Sequence, residues 1–201
     1  SVRRHFRGAA GVPQPVPPVR WGPGGRLRVR DDDGSQAYLT VLARIDADPR
    51  RLLATGVAVD IVGADPDSRL FQELRERLGL SYEVGAHIEW GPDWALAVIG
   101  ASGARSRAER WIDAVAATCQ RAAQDGFSAD EIDRARKKLR YRYALLADSR
   151  LEQAVALGES ALWGFPIPRE TERIVATLTP AEIEAAWRRA VFGRGVTAVL
   201  Q

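Results

Sequence analysis

Residues 68–82 run Ser-Arg-Leu-Phe-Gln-Glu-Leu-Arg-Glu-Arg-Leu-Gly-Leu-Ser-Tyr, a pattern that a helix followed at once by a strand satisfies well. Leu70, Leu74 and Leu78 recur at i, i+4 and i+8 with Phe71 on the same face, the spacing of an amphipathic helix. Asp67, preceded by Pro66, stands where an N-cap is expected, and Gly79 suits the left-handed residue that ends a helix. The spacing predicts a helix over 67–79 that delivers Tyr82 onto the start of a strand. Arg75 lies four residues after Phe71 and three before Leu78, on the border of the apolar stripe. A guanidinium there is expected to be half buried and held. On spacing alone, such an arginine is a solvated charge and such a tyrosine a packing residue.

The rest of the chain alternates between strand and helix patterns. Residues 11–25 are rich in proline and glycine and read as a linker ending in a turn, with Trp21 pinning it to a surface. Residues 1–25 are therefore expected to form an arm, and regular structure to begin at Arg26. Leu27 and Val29 alternate with arginines as a short strand, and residues 31–34 look like a solvated turn. Residues 37–45 are apolar enough for a central strand. Pro49 opens a helix to about Val62, apolar nearly all round and so expected to be buried. Residues 82–90 and 94–101 read as a hairpin around Gly91-Pro92-Asp93. A long helix is expected over 105–125, and a second opens at the capping box Ser128–Glu131. A third covers 151–163, and a fourth opens at the box Thr179–Glu182 with Pro180 at its first position. Residues 196–200 close the chain as a strand. Strands in hairpins with helices gathered between them give an α+β domain of two layers, a mostly antiparallel sheet with helices packed mainly on one face.

Composition narrows the function. The chain has 201 residues, 46% hydrophobic and 27% charged, an ordinary globular balance. No apolar run approaches the ~20 residues of a membrane span, so no membrane partner and a cytoplasmic location are expected. Cys119 is the only cysteine, which rules out an intrachain disulfide and a thiolate cluster. It falls on an apolar helical face with Trp111, Val115 and Ala122, where a small buried hydrophobe is expected. The one basic run, residues 134–142, suits an acidic peptide or phosphate backbone, but no nucleic-acid module accompanies it and no nucleic-acid partner is expected. There is no methionine, Ser1 included, which raises the expectation that this chain is half of a larger system.

Hydrolytic zinc needs two histidines a helical turn apart, a glutamate between them and a third ligand. Only His5 and His87 are present, and neither lies in HxxEH. His87 and Glu89 alternate onto one strand face, where a surface hydrogen bond is the ordinary outcome. GxSxG, P-loop and dinucleotide fingerprints are absent as well. This domain by itself is expected to hold no metal or cofactor and to hydrolyse no peptide.

The stretch 68–82 resembles the signature of the pitrilysin/insulinase family of zinc metallopeptidases, in the second, non-zinc-binding of that family's two homologous domains (mitochondrial processing peptidase-like). A dozen positions agree, as does the separation of Arg75 from Tyr82, and weaker similarity extends over residues 26–201. The resemblance implies an insulinase-like half-domain without internal repeat. It also implies that Arg75 and Tyr82 are catalytic contributors, contacting the substrate carbonyl and the tetrahedral intermediate. Zinc is then expected in a partner, a homologous domain or subunit bearing HxxEH. Peptide is the implied substrate, processed between the two halves, and a homodimer is an alternative pairing. A non-catalytic scaffold or recognition module derived from the same fold remains the competing implication.

Overall fold

The computed structural model describes residues 17–29, 34–193 and 195–200. The aspartate turn at 31–33, His5 and most of the proline-rich arm lie outside the described residues. The elements are β1 (Gly25–Val29), β2 (Gln36–Ile45), α1 (Pro49–Gly63), α2 (Arg69–Phe71, continued by a π-helical turn Gln72–Arg77), β3 (Ser81–Trp90) and β4 (Ala95–Ala104). After a 3₁₀ turn at Arg105–Arg107 come α3 (Ala108–Asp125), α4 (Ala129–Asp148), α5 (Arg150–Trp163), α6 (Pro168–Thr177), α7 (Pro180–Phe192) and β5 (Gly195–Leu200). The strands form one sheet in the order β1-β5-β2-β4-β3. Every pairing is antiparallel except β1 with β5. Helices cover the sheet face carrying Ala37, Leu39, Ala97 and Ile99, so this is the α+β, two-layer arrangement expected.

α1 is the hub. Asp48 caps it by accepting from the Arg51 amide at 3.1 Å, and Pro49 occupies its first turn. Residues 52–63 are buried except Gly56, because α1 packs on β3 while α4, α6 and α7 cover its remaining faces. Its last turn comes unusually close to the sheet. A Cβ placed on Gly63 would sit 2.6 Å from Ala86 Cβ and 3.2 Å from the Ala86 amide nitrogen. Trp111 of α3 and Trp187 of α7 are fully enclosed, and the Trp187 indole donates to the Cys119 carbonyl at 3.2 Å, joining those helices. Both expected capping boxes form, at Ser128–Glu131 and Thr179–Glu182.

Three expectations need correction. The first concerns the cap of α2. Ser68, not Asp67, occupies the N-cap, and the Asp67 amide donates instead to Asp65 Oδ1 in the turn that precedes the helix. The second is the extent of that helix, Arg69–Arg77, with half of it widened into a π turn. The third is a helix, α6, that the pattern reading passed over. It starts at Pro168 behind the N-cap Ile167, which has no capping side chain, while Glu170 accepts from the Ile167 amide at 3.3 Å.

Gly63→Ala tests the packing of α1 on β3. Helix propensity alone predicts a gain of about 1 kcal/mol, whereas overpacking against the Ala86 backbone costs about 1–3 kcal/mol. We expect net destabilisation, read as a lower urea midpoint with unchanged slope. A higher midpoint would show that the contact yields freely.

Candidate functional site

The site candidates sit where α2 hands the chain to β3. Within α2 the Leu78 amide reaches back five residues to Glu73 O at 3.0 Å, and Leu80 reaches back six to Leu74 O at 2.9 Å. That closure is one residue wider than the usual glycine-terminated helix end. Gly79 makes it possible with φ of 58°. Leu70 and Leu74 are fully enclosed, while Leu78 is only partly buried, because the widened turn rotates it off the seam that a 3.6-residue period predicts. Such π turns concentrate at functional positions.

Tyr82 then occupies a β-bulge. Ser81 pairs with Gly103 and Glu83 with the adjacent Ser102, leaving Tyr82 as the extra residue. The buried Ser81 hydroxyl closes the bulge, lying 2.6 Å from Glu83 O and 2.8 Å from Ser102 O. The bulge re-aims the phenol outward, 57% exposed, at the head of β3, which is an edge strand. Arg75 reaches the same place. Its Nη1 donates to the Tyr82 carbonyl at 3.4 Å, and its guanidinium carbon lies 5.2 Å from the centre of the Phe71 ring. It is exposed, not half buried as expected, since the π turn carries it to the outer side of the helix, yet it is held. The structure thus brings the Arg75 guanidinium to the Tyr82 backbone and leaves both side chains exposed.

The neighbouring arginines do different work. Arg69 grips Glu131 with two hydrogen bonds of 2.7 and 2.9 Å, donates to Gly126 O at 2.8 Å, and stacks 5.1 Å from the Phe127 ring centre. Glu131 is also the capping-box residue of α4, accepting from the Ser128 amide at 2.8 Å. The Arg69 hydrogen bond chiefly, with the Ser128 donors, holds the Glu131 carboxyl down at about 2. Glu73 accepts from Arg77 at 2.6 Å and from Arg121 at 3.1 Å, and the Arg77 bond leads in lowering its pKa. Arg69, Glu131 and Arg121 thereby clamp α2 to α3 and α4 and position the helix that bears Arg75. Pattern reading missed this clamp. Its only trace in the sequence is a capping-box glutamate with spare acceptor capacity.

Other candidates resolve into structure. Members of the basic run pair with carboxylates and a carbonyl of neighbouring elements: Lys138 with Asp65 and Asp67, Arg140 with Glu172, Arg142 with Asp60, Arg136 with Leu178 O. Asp60 is buried, and desolvation raises its pKa despite Arg142. Cys119 is enclosed as expected, its thiol pushed up to about 12 by burial. His87 and Glu89 share a hydrogen bond of 3.1 Å on the exposed sheet face. Among the described residues no group of three or more His, Cys, Asp or Glu is arranged to hold a metal ion. Among the described residues a zinc site does not fit, since His87 and Glu89 supply two donors and Cys119 is buried in the core. No helix among the described residues is long and apolar enough to cross a membrane.

The family model described as the peptidase M16 inactive domain matches residues 3–139. The chain belongs to that family, as the resemblance of residues 68–82 implied. It is 29% identical over 152 residues to an uncharacterized zinc protease of Rickettsia bellii, covering 75% of this chain and 37% of that protein. It is also 29% identical over 176 residues to an uncharacterized zinc protease of Streptomyces coelicolor, covering 85% and 38%. The fold is shared with a protease from Helicobacter pylori at a TM-score of 0.84 and 13% identity, over 99% of this chain and 50% of that one. The chain thus spans half or less of the length of these proteins.

The Arg69–Glu131 clamp makes a pH prediction. A carboxyl lowered to about 2 from an unfolded value of about 4.5 contributes stability that is present above about pH 4.5 and lost as pH falls toward 2. Urea unfolding of Glu131→Gln should therefore show a shallower loss of stability between pH 4.5 and 2 than the parent. Superimposable pH profiles would remove the clamp from the stability account.

Proposed function

We propose that this domain is the non-zinc-binding half of an insulinase-like metallopeptidase, working against an HxxEH-bearing domain or subunit. The observation that supports the reading is the Arg75 guanidinium held on the Tyr82 backbone carbonyl across the Gly79 turn, with the Tyr82 side chain exposed on its bulge. Both face solvent, and Arg75 has no carboxylate partner among the described residues. A cation and a hydroxyl so placed suit the oxyanion that develops when a peptide carbonyl is attacked. Zinc held by the other half would activate the water; this half would bind and orient the carbonyl. An extended peptide laid beside β3 would take backbone hydrogen bonds from the strand's free edge. The substrate class is peptide, and the setting is the cytoplasm expected from the sequence.

Two consequences are testable. Purified alone, the chain should carry no stoichiometric zinc by metal analysis and should release no product from unstructured peptides. Reconstituted with an HxxEH-bearing half, Arg75→Ala and Tyr82→Phe should each lower kcat by roughly ten- to a thousand-fold, with much smaller changes in KM. Arg75→Ala should be the more severe, because the guanidinium supplies charge and several donors where the phenol supplies one. Unchanged kcat in both folded variants would move the domain to the scaffold reading.

A further inference from the structure

The register of β3 against β4 gives a reason for the bulge at Tyr82. Val84, Ala86 and Ile88 turn toward the helices, and side chains alternate along a strand. Had the ladder run on unbroken from the pair Glu83–Ser102, Tyr82 would stand opposite Gly103 with its ring on that same covered face. That seat is taken. A Cβ at Gly103 would lie 2.7 Å from the Leu80 carbonyl oxygen and 2.9 Å from Trp111 Nε1. Trp111 is fully enclosed, and its indole donates to Ala104 O at 3.4 Å. α3 and the Leu80 carbonyl therefore wall off the inward position, and the bulge carries the Tyr82 ring to solvent instead.

The side chain that ties the bulge is Ser81, itself 7% exposed. Its Oγ lies 2.6 Å from Glu83 O and 2.8 Å from Ser102 O, joining the residue after Tyr82 to the neighbouring strand. A hydroxyl has one proton to donate, so two carbonyl oxygens share it. The chain arrives at Ser81 already fixed, because Leu80 is buried and its amide donates to Leu74 O at 2.9 Å. Tyr82 is thus spanned by held residues on both sides, and its own carbonyl accepts from Arg75 Nη1 at 3.4 Å. One brace sets both the exposure of the phenol and the place where the guanidinium rests.

We infer that Ser81 is a positioning residue for both Arg75 and Tyr82, fixing the bulge against the wall made by Leu80 and Trp111. It touches no substrate. Its hydroxyl acts through the backbone on either side of Tyr82, and a misplacement of about 1 Å at a reacting centre can cost about a hundred-fold in rate. Removing the hydroxyl leaves the Glu83 and Ser102 carbonyls short of a donor. With the wall still standing, the Tyr82 ring has no inward seat to take, so the bulge loosens without closing. The domain stays folded while the site loses its geometry. This inference rests on the reading that Arg75 and Tyr82 meet a substrate carbonyl.

Two measurements test it. The full chain has four tyrosines, and in chain labelled with fluorotyrosine the fluorine resonance of residue 82 is the one that Tyr82→Phe removes. Ser81→Ala should shift or broaden that resonance and leave those of Tyr38, Tyr141 and Tyr143 in place, with circular dichroism and thermal melts as folding controls. Gly103→Ala drives a methyl at the Leu80 carbonyl, so it disturbs the same brace from β4 and should move the same resonance. In the complex with an HxxEH-bearing half, Ser81→Ala should lower kcat at least about ten-fold while changing KM less than about three-fold. Most of that loss should vanish when Arg75→Ala and Tyr82→Phe are already present, because the hydroxyl acts only through those two residues. A folded Ser81→Ala chain with the Tyr82 resonance at its parent position overturns the inference. So does a kcat loss undiminished in the Arg75→Ala, Tyr82→Phe background, which would mark a general structural effect. If Arg75→Ala and Tyr82→Phe themselves leave kcat unchanged, the peptidase reading fails, and the resonance still decides whether Ser81 sets the bulge.

Discussion

Gly63 lets the last turn of α1 lie against β3 so closely that a side chain there would collide with Ala86. The consequences run outward from that contact. Burying α1 on nearly every side requires the sheet beneath it and α4, α6 and α7 over it, so one helix organises both layers. It also places the end of α1 beside the start of α2, where Leu70, the nearest side chain to Gly63 after Ala86, is fully enclosed. The helix that bears Arg75 is seated on the core by its first turn and is free to widen after it.

That freedom is bounded by charge. Arg69 and Glu73 are fixed by partners on α4 and α3, leaving Arg75 as the arginine of α2 without a carboxylate partner among the described residues, resting on the Phe71 ring and the Tyr82 carbonyl. Capping-box glutamates serve twice in this domain: Glu131 also receives Arg69, and Glu182 also receives Arg50 through bonds of 2.7 and 3.0 Å. The same use of charge draws Lys138, Arg140 and Arg142 of the basic run to the turn before α2, to α6 and to α1, while Lys137 pairs with Asp133 within α4. Part of a run that looks like a nucleic-acid surface in one dimension braces the helix layer in three.

Much of the fold was legible residue by residue. The all-round apolar pattern of α1, the two Ser/Thr–Glu boxes, the hairpin at Gly91–Asp93 and Gly79 as a helix end are local signals, each set by neighbours within four residues. α6 escaped because its N-cap is Ile167, which advertises nothing. The Asp67 cap failed because the helix opens one residue later, behind Ser68, and Asp67 belongs to the preceding turn, where its amide donates to Asp65. The pairing of Arg75 with Tyr82 was legible only as a separation in a recognised signature, since periodicity favoured solvent for one and packing for the other.

The sequence by itself determined most of the helices and strands, α6 excepted, that no zinc-ligand motif is present, and that Arg75 and Tyr82 lie a fixed seven residues apart across a glycine turn. Those properties depend on spacing along the chain, which the sequence carries directly. Tertiary structure decided the rest. The π turn moved Leu78 off the seam and Arg75 to the outer side. The bulge at Tyr82 turned a packing position into an exposed one. The clamp of Arg69 on Glu131 joined residues 62 apart, and α5 was left with no buried residue. These features depend on which distant groups meet, and a carboxylate or an apolar face shows no partner until the layers have closed around it.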